Sequence, residues 1–248
     1  VTVARTFPDL LASLLAGGGS RPLVTMYDDA TGERTELSVT TYANWVAKTA
    51  NLLADELMLD AGDTVLLDLP PHWLSTVFLG AAWSAGLAVT TDPAEDAAVV
   101  VCGPDDPVAH LSRGVPVVAC SLRPFAVRFA DPLPDGVLDH GLLWPGQADV
   151  FTPVVAVSPD DVAWRPDGTS QQELLAEAVS AMAGPQRLLT DADPCKGRGV
   201  PAFLAPLVSG GSLVLVRRPD HSRWDAHRES ERATAQLRRS TAPTRTRE

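Results

Sequence analysis

Three features of the sequence predict an α/β fold built on a parallel sheet with helices on both faces. Short apolar, β-branched runs recur along the chain, among them TVLLDLP, LAVTTDP, AAVVVC and VPVVACS, as expected of strands covered on both faces. Between several of them lie segments whose apolar residues fall at three- and four-residue steps, the spacing of one helix face. Strands alternating with helices imply a doubly wound parallel sheet with right-handed crossovers. At 248 residues and 45% hydrophobic content the chain can bury such a core.

In chain order, PDLLASLLA reads as an amphipathic helix halted at Gly17–Gly18–Gly19. LVTMYDD is a strand, and ERTELS pairs back on it after the turn at Thr31–Gly32. A helix is expected over residues 38–58, with Tyr42, Trp45, Val46, Leu52, Leu53 and Leu57 on its buried stripe. TVLLDLP then makes a buried strand, and HWLSTVFLGAAWSAG a helix rich in small residues that stops at Gly86. Three strands follow, LAVTTDP, AAVVVC and VPVVACS. Residues 121–159 are rich in Pro and Gly and read mostly as loop with room for a short strand. Beyond them come a helix at SQQELLAEAVSAMA, a strand at RLLT, a helix at PAFLAPLVSGG, a strand at SLVLVR and a last helix over residues 224–237. One domain is expected over residues 1–237, with 238–248 a disordered tail. No internal repeat is present.

Charge and cysteine content narrow the function classes. The chain carries −11, with nine arginines against five acids from Arg217 onward, so the body before it stands near −15. A body that acidic argues against nucleic acid as partner, since phosphate binding draws on clustered Lys and Arg. Cys102, Cys120 and Cys195 form no C-x-x-C pair, and reduced thiols fit a cytoplasmic protein. The apolar patch near the N-terminus is broken by Pro8 and Asp9, too short for a signal core. The most apolar stretch, VFLGAAWSAGLAV, falls short of the roughly 20 residues of a membrane span. No membrane partner is expected.

Two zones of the chain resemble the amino-terminal part of the acyl-adenylate-forming (AMP-dependent synthetase and ligase) superfamily. In the first, Thr41–Tyr42, Gly62–Asp63, Val65, Ala85–Gly86 and Asp92–Pro93 hold places of that family's opening. In the second, Pro206–Leu207, Gly210–Gly211 and Val214–Leu215 match its Pro-Leu-x-x-Gly-Gly-x-x-Val-Leu pattern, and ERATA resembles the helix-to-strand step that follows. These are scaffold motifs and speak for fold before chemistry. The chain is also similar to short stand-alone proteins of high-GC bacteria that keep only this part and have no assigned activity.

In that family, Asp-Asp-x-Ala leads into a Ser/Thr/Gly-rich phosphate loop ending in Pro-Lys-Gly. The glycines let backbone N–H groups close on phosphate, and hydroxyls and a lysine complete the site. Here Asp160–Asp161–Val162–Ala163 is followed by Trp-Arg-Pro-Asp-Gly-Thr-Ser. Gly168, Thr169 and Ser170 are what the resemblance offers as cofactor-binding residues, for ATP or AMP with Mg. Read without it, Pro166–Asp167–Gly168 is a turn, and Ser170–Gln171–Gln172–Glu173 a capping box. Arg165 is a further source of charge, and Lys196 in the glycine-rich KGRG is either an anion ligand or a solvated turn residue.

Unrelated chemistry has no signature. There is no G-x-S-x-G elbow, and His72, His110, His140, His221 and His227 form no metal-ligand spacing. His72, after Pro70–Pro71, stands at a strand end, where α/β sheets bind ligands, or at a helix start. The adenine and ribose motifs and the catalytic lysine of the resembled family have no counterpart before Glu248. The expectation is therefore an incomplete adenylate-forming domain, inactive alone, with a binding or regulatory role. Two alternatives stand beside it: a ligase completed by a partner chain or homodimer, and a structural module whose uncovered surface recruits a protein partner.

Overall fold

A computed structural model describes residues 4–239. Two sheets hold its strands, each mostly parallel. The first is five-stranded, in the order β12-β10-β11-β1-β2, with β1 Pro22–Asp28, β2 Glu33–Ser38, β10 Arg187–Thr190, β11 Ser212–Arg217 and β12 Ala235–Leu237. Only the β1–β2 hairpin is antiparallel in it. The second is seven-stranded, in the order β7-β6-β5-β3-β4-β8-β9. It comprises β3 Thr64–Asp68, β4 Ala88–Thr90, β5 Val99–Cys102, β6 Val117–Ala119, β7 Val137–Asp139, β8 Val162–Trp164 and β9 Thr169–Ser170. Its one antiparallel pair is β8–β9. The α/β class is as the sequence predicts, but the strands divide between two sheets. Twelve twisted strands exceed what one open sheet comfortably holds.

The helices are α1 Phe7–Ala16, α2 Val39–Asn51, α3 Trp73–Ser84, α4 His140–Leu143, α5 Gln171–Ala181, α6 Ala205–Val208 and α7 Trp224–Ser230. Helix α3 touches β1 of the first sheet and β3 and β4 of the second, and every one of its residues is buried. That explains its composition: a helix wrapped on all sides needs apolar and small residues all round, not one stripe. At Gly80 any side chain would collide with the Tyr42 hydroxyl and the Phe7 ring, so glycine is what lets α1 and α2 close on α3. Tyr42 then donates to the Thr76 carbonyl at 2.6 Å.

Strand alternation divides the core. Val65, Leu67, Val99 and Val101 join Met26, Leu213 and Leu215 in one apolar cluster that both sheets share. Their alternating neighbours Leu66, Val100 and Cys102 face a separate cluster on the outer side of the second sheet. Leu189, Val214, Val216 and Trp224 do the same for the first sheet.

Three elements depart from expectation. The helix predicted over residues 38–58 is α-helical only to Asn51, then widens into a π-turn at Leu52–Glu56. Asn51 donates sideways to the carbonyls of Ala148 and Val150, at 3.0 and 3.1 Å, tying α2 to a loop remote in sequence. The last helix, expected over residues 224–237, stops at Ser230, and residues 235–237 form β12 against β10. Glu231 causes the break. Its buried carboxylate accepts from Arg34 Nε at 3.0 Å and from Tyr27 and Arg187. Within residues 121–159, α4 forms as well as the expected short strand. Of the predicted tail, Arg238 lies over the Trp224 ring and the Arg239 N–H bonds Asp191, while residues 240–248 lie outside the described residues.

Candidate functional site

The stretch from Arg165 to Ser170 is a tight hairpin at the edge of the second sheet. Strand β8 pairs with β4 through Val89 and Trp164, and β9 pairs back through Val162–Ser170 and Trp164–Thr169. Gly168 sits at the turn with φ +71°, and its N–H bonds the Arg165 carbonyl at 3.2 Å. The left-handed conformation is what the turn requires of this glycine.

Every donor of the next two residues is engaged by a carboxylate of the chain itself. The Thr169 N–H and hydroxyl both reach Asp167 Oδ1, at 3.2 and 2.5 Å. The Ser170 N–H and hydroxyl both reach Glu173 Oε2, at 2.9 and 2.7 Å. These bonds hold both acids below the usual carboxylate range, the Thr169 hydroxyl being the largest cause for Asp167 and the Ser170 N–H for Glu173. Arg198 then closes over the loop. It bonds Asp167 Oδ2 at 2.6 Å and pairs with Glu177 on α5. The Thr169 and Ser170 donors are thus bound to two internal carboxylates, one of them capped by a guanidinium.

Behind the loop, α5 is anchored by Gln171. Its side-chain carbonyl accepts from the Phe7 N–H and its amide donates to the Trp83 carbonyl, each at 2.8 Å. Arg165 and Lys196 are exposed. Sequence reasoning identified the turn and the Glu173 back-bond but missed Arg198, which stands two residues beyond Lys196 in the same KGRG run. The signal available was its flanking by Gly197 and Gly199, both with positive φ, which turn the backbone so that an arginine can point back across the loop.

A concavity lies at the carboxyl ends of the strands. Pro70 and Pro71 follow β3, Asp191 follows β10, Arg217 ends β11 and Arg218 follows it, and Arg239 follows β12; together they line a cavity of about 570 Å³. Strand β3 is where the second sheet's order reverses, with β4 on one side and β5 on the other. Such a switch point leaves a crevice in α/β sheets. His72 is fully buried beside it and takes the helix-start role: its Nδ1 accepts from the Leu74 N–H at 3.2 Å. Burial, with Arg217 nearby, pushes its pKa down to about 3.

Among the described residues no group of His, Cys, Asp or Glu is arranged to hold a metal, and no helix is long and apolar enough to cross a membrane. The three cysteines are free and buried.

No family model matches this chain. Among solved structures, an acyl-CoA synthetase of Brucella canis superposes with a TM-score of 0.73 at 20% identity, covering 94% of this chain and 47% of its own. The chain therefore spans about half the length of that enzyme and shares the fold of the part it matches. A TIGR03089 family protein of Mycobacterium tuberculosis is 35% identical over 243 residues, covering 92% of this chain and 96% of that protein. With likeness running nearly end to end in both, the chain belongs to the TIGR03089 family, on an acyl-CoA synthetase-like fold.

Proposed function

We propose that this chain is an adenylate-forming-like domain that binds or regulates and does not itself adenylate. One observation carries the proposal: the four Thr169 and Ser170 donors are bound to Asp167 and Glu173. An incoming triphosphate would have to displace two carboxylates and would meet their negative charge at the point where phosphoryl transfer needs positive charge. Arg198 is spoken for by Asp167 and Glu177, and Pro166 removes a donor from the approach. Gly168, Thr169 and Ser170 serve on this view as turn and helix cap.

The test is thermal unfolding with and without millimolar Mg-ATP, alongside ATP–pyrophosphate exchange. A ligand at one hundred times its Kd adds about 2.7 kcal/mol, and each kcal/mol moves a domain of this size by roughly 2–4 °C. The expected result is no shift that depends on the loop and no exchange. A rise of several degrees that Gly168→Pro abolishes would refute the proposal. Exchange by the chain alone, or on adding a second chain, would favour a ligase.

A further inference from the structure

The crevice at the strand ends stands on different residues from the loop, and its chemistry points elsewhere. Arg217 and Arg218 both turn to Asp28, which is itself buried. Arg218 satisfies that carboxylate in a two-pronged bond, through Nε to Oδ1 at 2.9 Å and through Nη2 to Oδ2. Its left-handed φ of +47° is the turn that brings two consecutive arginines to one acid. Arg217 is left with a single ion-pair contact, Nη1 to Asp28 Oδ2 at 3.4 Å, and among the described residues its guanidinium donates no hydrogen bond. Only 18% of its side chain is exposed, and burial lowers its pKa. A guanidinium has five N–H donors in a fixed fork. One that is largely desolvated, short of acceptors and set in a cavity wall is built for an anion.

The other wall adds to this. Arg239 engages Asp191 through its backbone N–H, at 2.6 Å, not through its guanidinium. Three guanidiniums line or back the crevice, with Asp28 and Asp191 beside them and Glu33, Asp105 and Asp193 within electrostatic reach of Arg217 and Arg239, in a chain whose net charge is −11. His221, also on the wall, shares its Nδ1 with Arg238 at 2.7 Å, so a further cation stands at the rim. Pro70, Pro71 and Pro219 give the crevice rigid apolar sides.

From this we infer that the crevice between Pro70–Pro71 and Arg217 is a binding site for a phosphate group carried by a small molecule, with the Arg217 and Arg239 guanidiniums as its ligands. The forked guanidinium matches phosphate oxygens two at a time. The proline walls leave room for the organic part, and the placement at the switch point keeps the site open to solvent.

Isothermal titration with pyrophosphate at fixed ionic strength, without nucleotide or Mg, tests it on the full chain. Saturable one-to-one binding is expected, weakened about tenfold or more in Arg217→Gln and in Arg239→Ala. It should be untouched by Gly168→Pro, which separates this site from the loop. Arg239→Ala is the variant that leaves Asp28 and the fold alone, because Arg239 reaches Asp191 through its backbone. Heats that do not saturate, or equal affinity in wild type and both arginine variants, would overturn the site. Malonate binding as tightly as pyrophosphate would overturn the phosphate class.

Discussion

Replacing Gln171 with methionine tests whether the residues after the loop are structural anchors. Gln171 is 2% exposed and bridges two helices that never meet it in sequence, accepting from the Phe7 N–H of α1 and donating to the Trp83 carbonyl of α3. Methionine keeps the length and removes both bonds. The two lost partners are not equivalent. The Trp83 carbonyl still accepts from the N–H groups of Ala85 and Gly86, so its loss is that of one net hydrogen bond, about 1 kcal/mol. The Phe7 N–H opens a helix and has no intrahelical acceptor; left buried and unpaired, it costs about 1–3 kcal/mol. The sum is roughly 2–4 kcal/mol, or a fall of roughly 4–16 °C in Tm. Calorimetric unfolding measures it, with Gln172→Met as the control. Gln172 bonds Arg5 and Asp160 only at the exposed surface, so its loss should stay within about 0.5 kcal/mol. A Gln171→Met loss no larger than the control's would refute the anchoring argument.

Two further predictions come from buried titratable groups. His140 is 1% exposed, packs on Phe78 at 5.2 Å, and among the described residues has no partner for Nε2; burial holds its pKa down to about 4. Below the unfolded value of 6.5 the unfolded chain takes up a proton that the folded chain refuses, so stability falls from pH 6.5 toward pH 4. Between pH 7 and pH 5 that amounts to about 2 kcal/mol. His140→Phe should remove that share of the acid destabilisation, as read by urea midpoints at the two pH values, and an unchanged difference would count against it. Burial raises the thiols of Cys120 and Cys195 well above their ordinary range and that of Cys102 to about 12. The thiolate is the reactive form, so a thiol reagent should modify all three only as the chain unfolds, and rapid reaction of the native protein would contradict their burial.

The fold was legible wherever local pattern and burial agree. The apolar runs at Val65–Leu67 and Val99–Val101 are buried on both faces, and that double burial is what makes a parallel strand readable. The division into two sheets was not legible, because which strands pair depends on contacts such as Val24 with Leu213, some 190 residues apart. The shortened last helix failed for a similar reason. Residues 224–230 are helical as their pattern asks, but Glu231 is drawn away by Arg34, Tyr27 and Arg187, and no window of sequence contains those partners. The widening at Leu52 likewise follows from Asn51 bonding a loop near residue 149.

The same distinction separates the two sites. The loop's fate is written in spacing: Asp167 stands two residues before Thr169, and Glu173 three after Ser170. An Asx turn and a capping box are the structures those offsets favour. A phosphate loop needs its donors left free, and here each has an acid within three residues to take it. Arg198 only seals an arrangement already set locally. The crevice has the opposite origin. Pro70, Asp191, Arg217 and Arg239 share no local pattern, and each is there because it follows or ends a strand of a parallel ladder. Parallel strands point their carboxyl ends the same way, so residues just past β10, β11 and β12 must gather at one edge. A chain with its loop donors occupied can therefore still present a ligand site, because the loop depends on local hydrogen bonding and the crevice on topology. Gly168→Pro and Arg239→Ala should accordingly behave as independent substitutions, their effects on stability adding and only the second altering pyrophosphate binding.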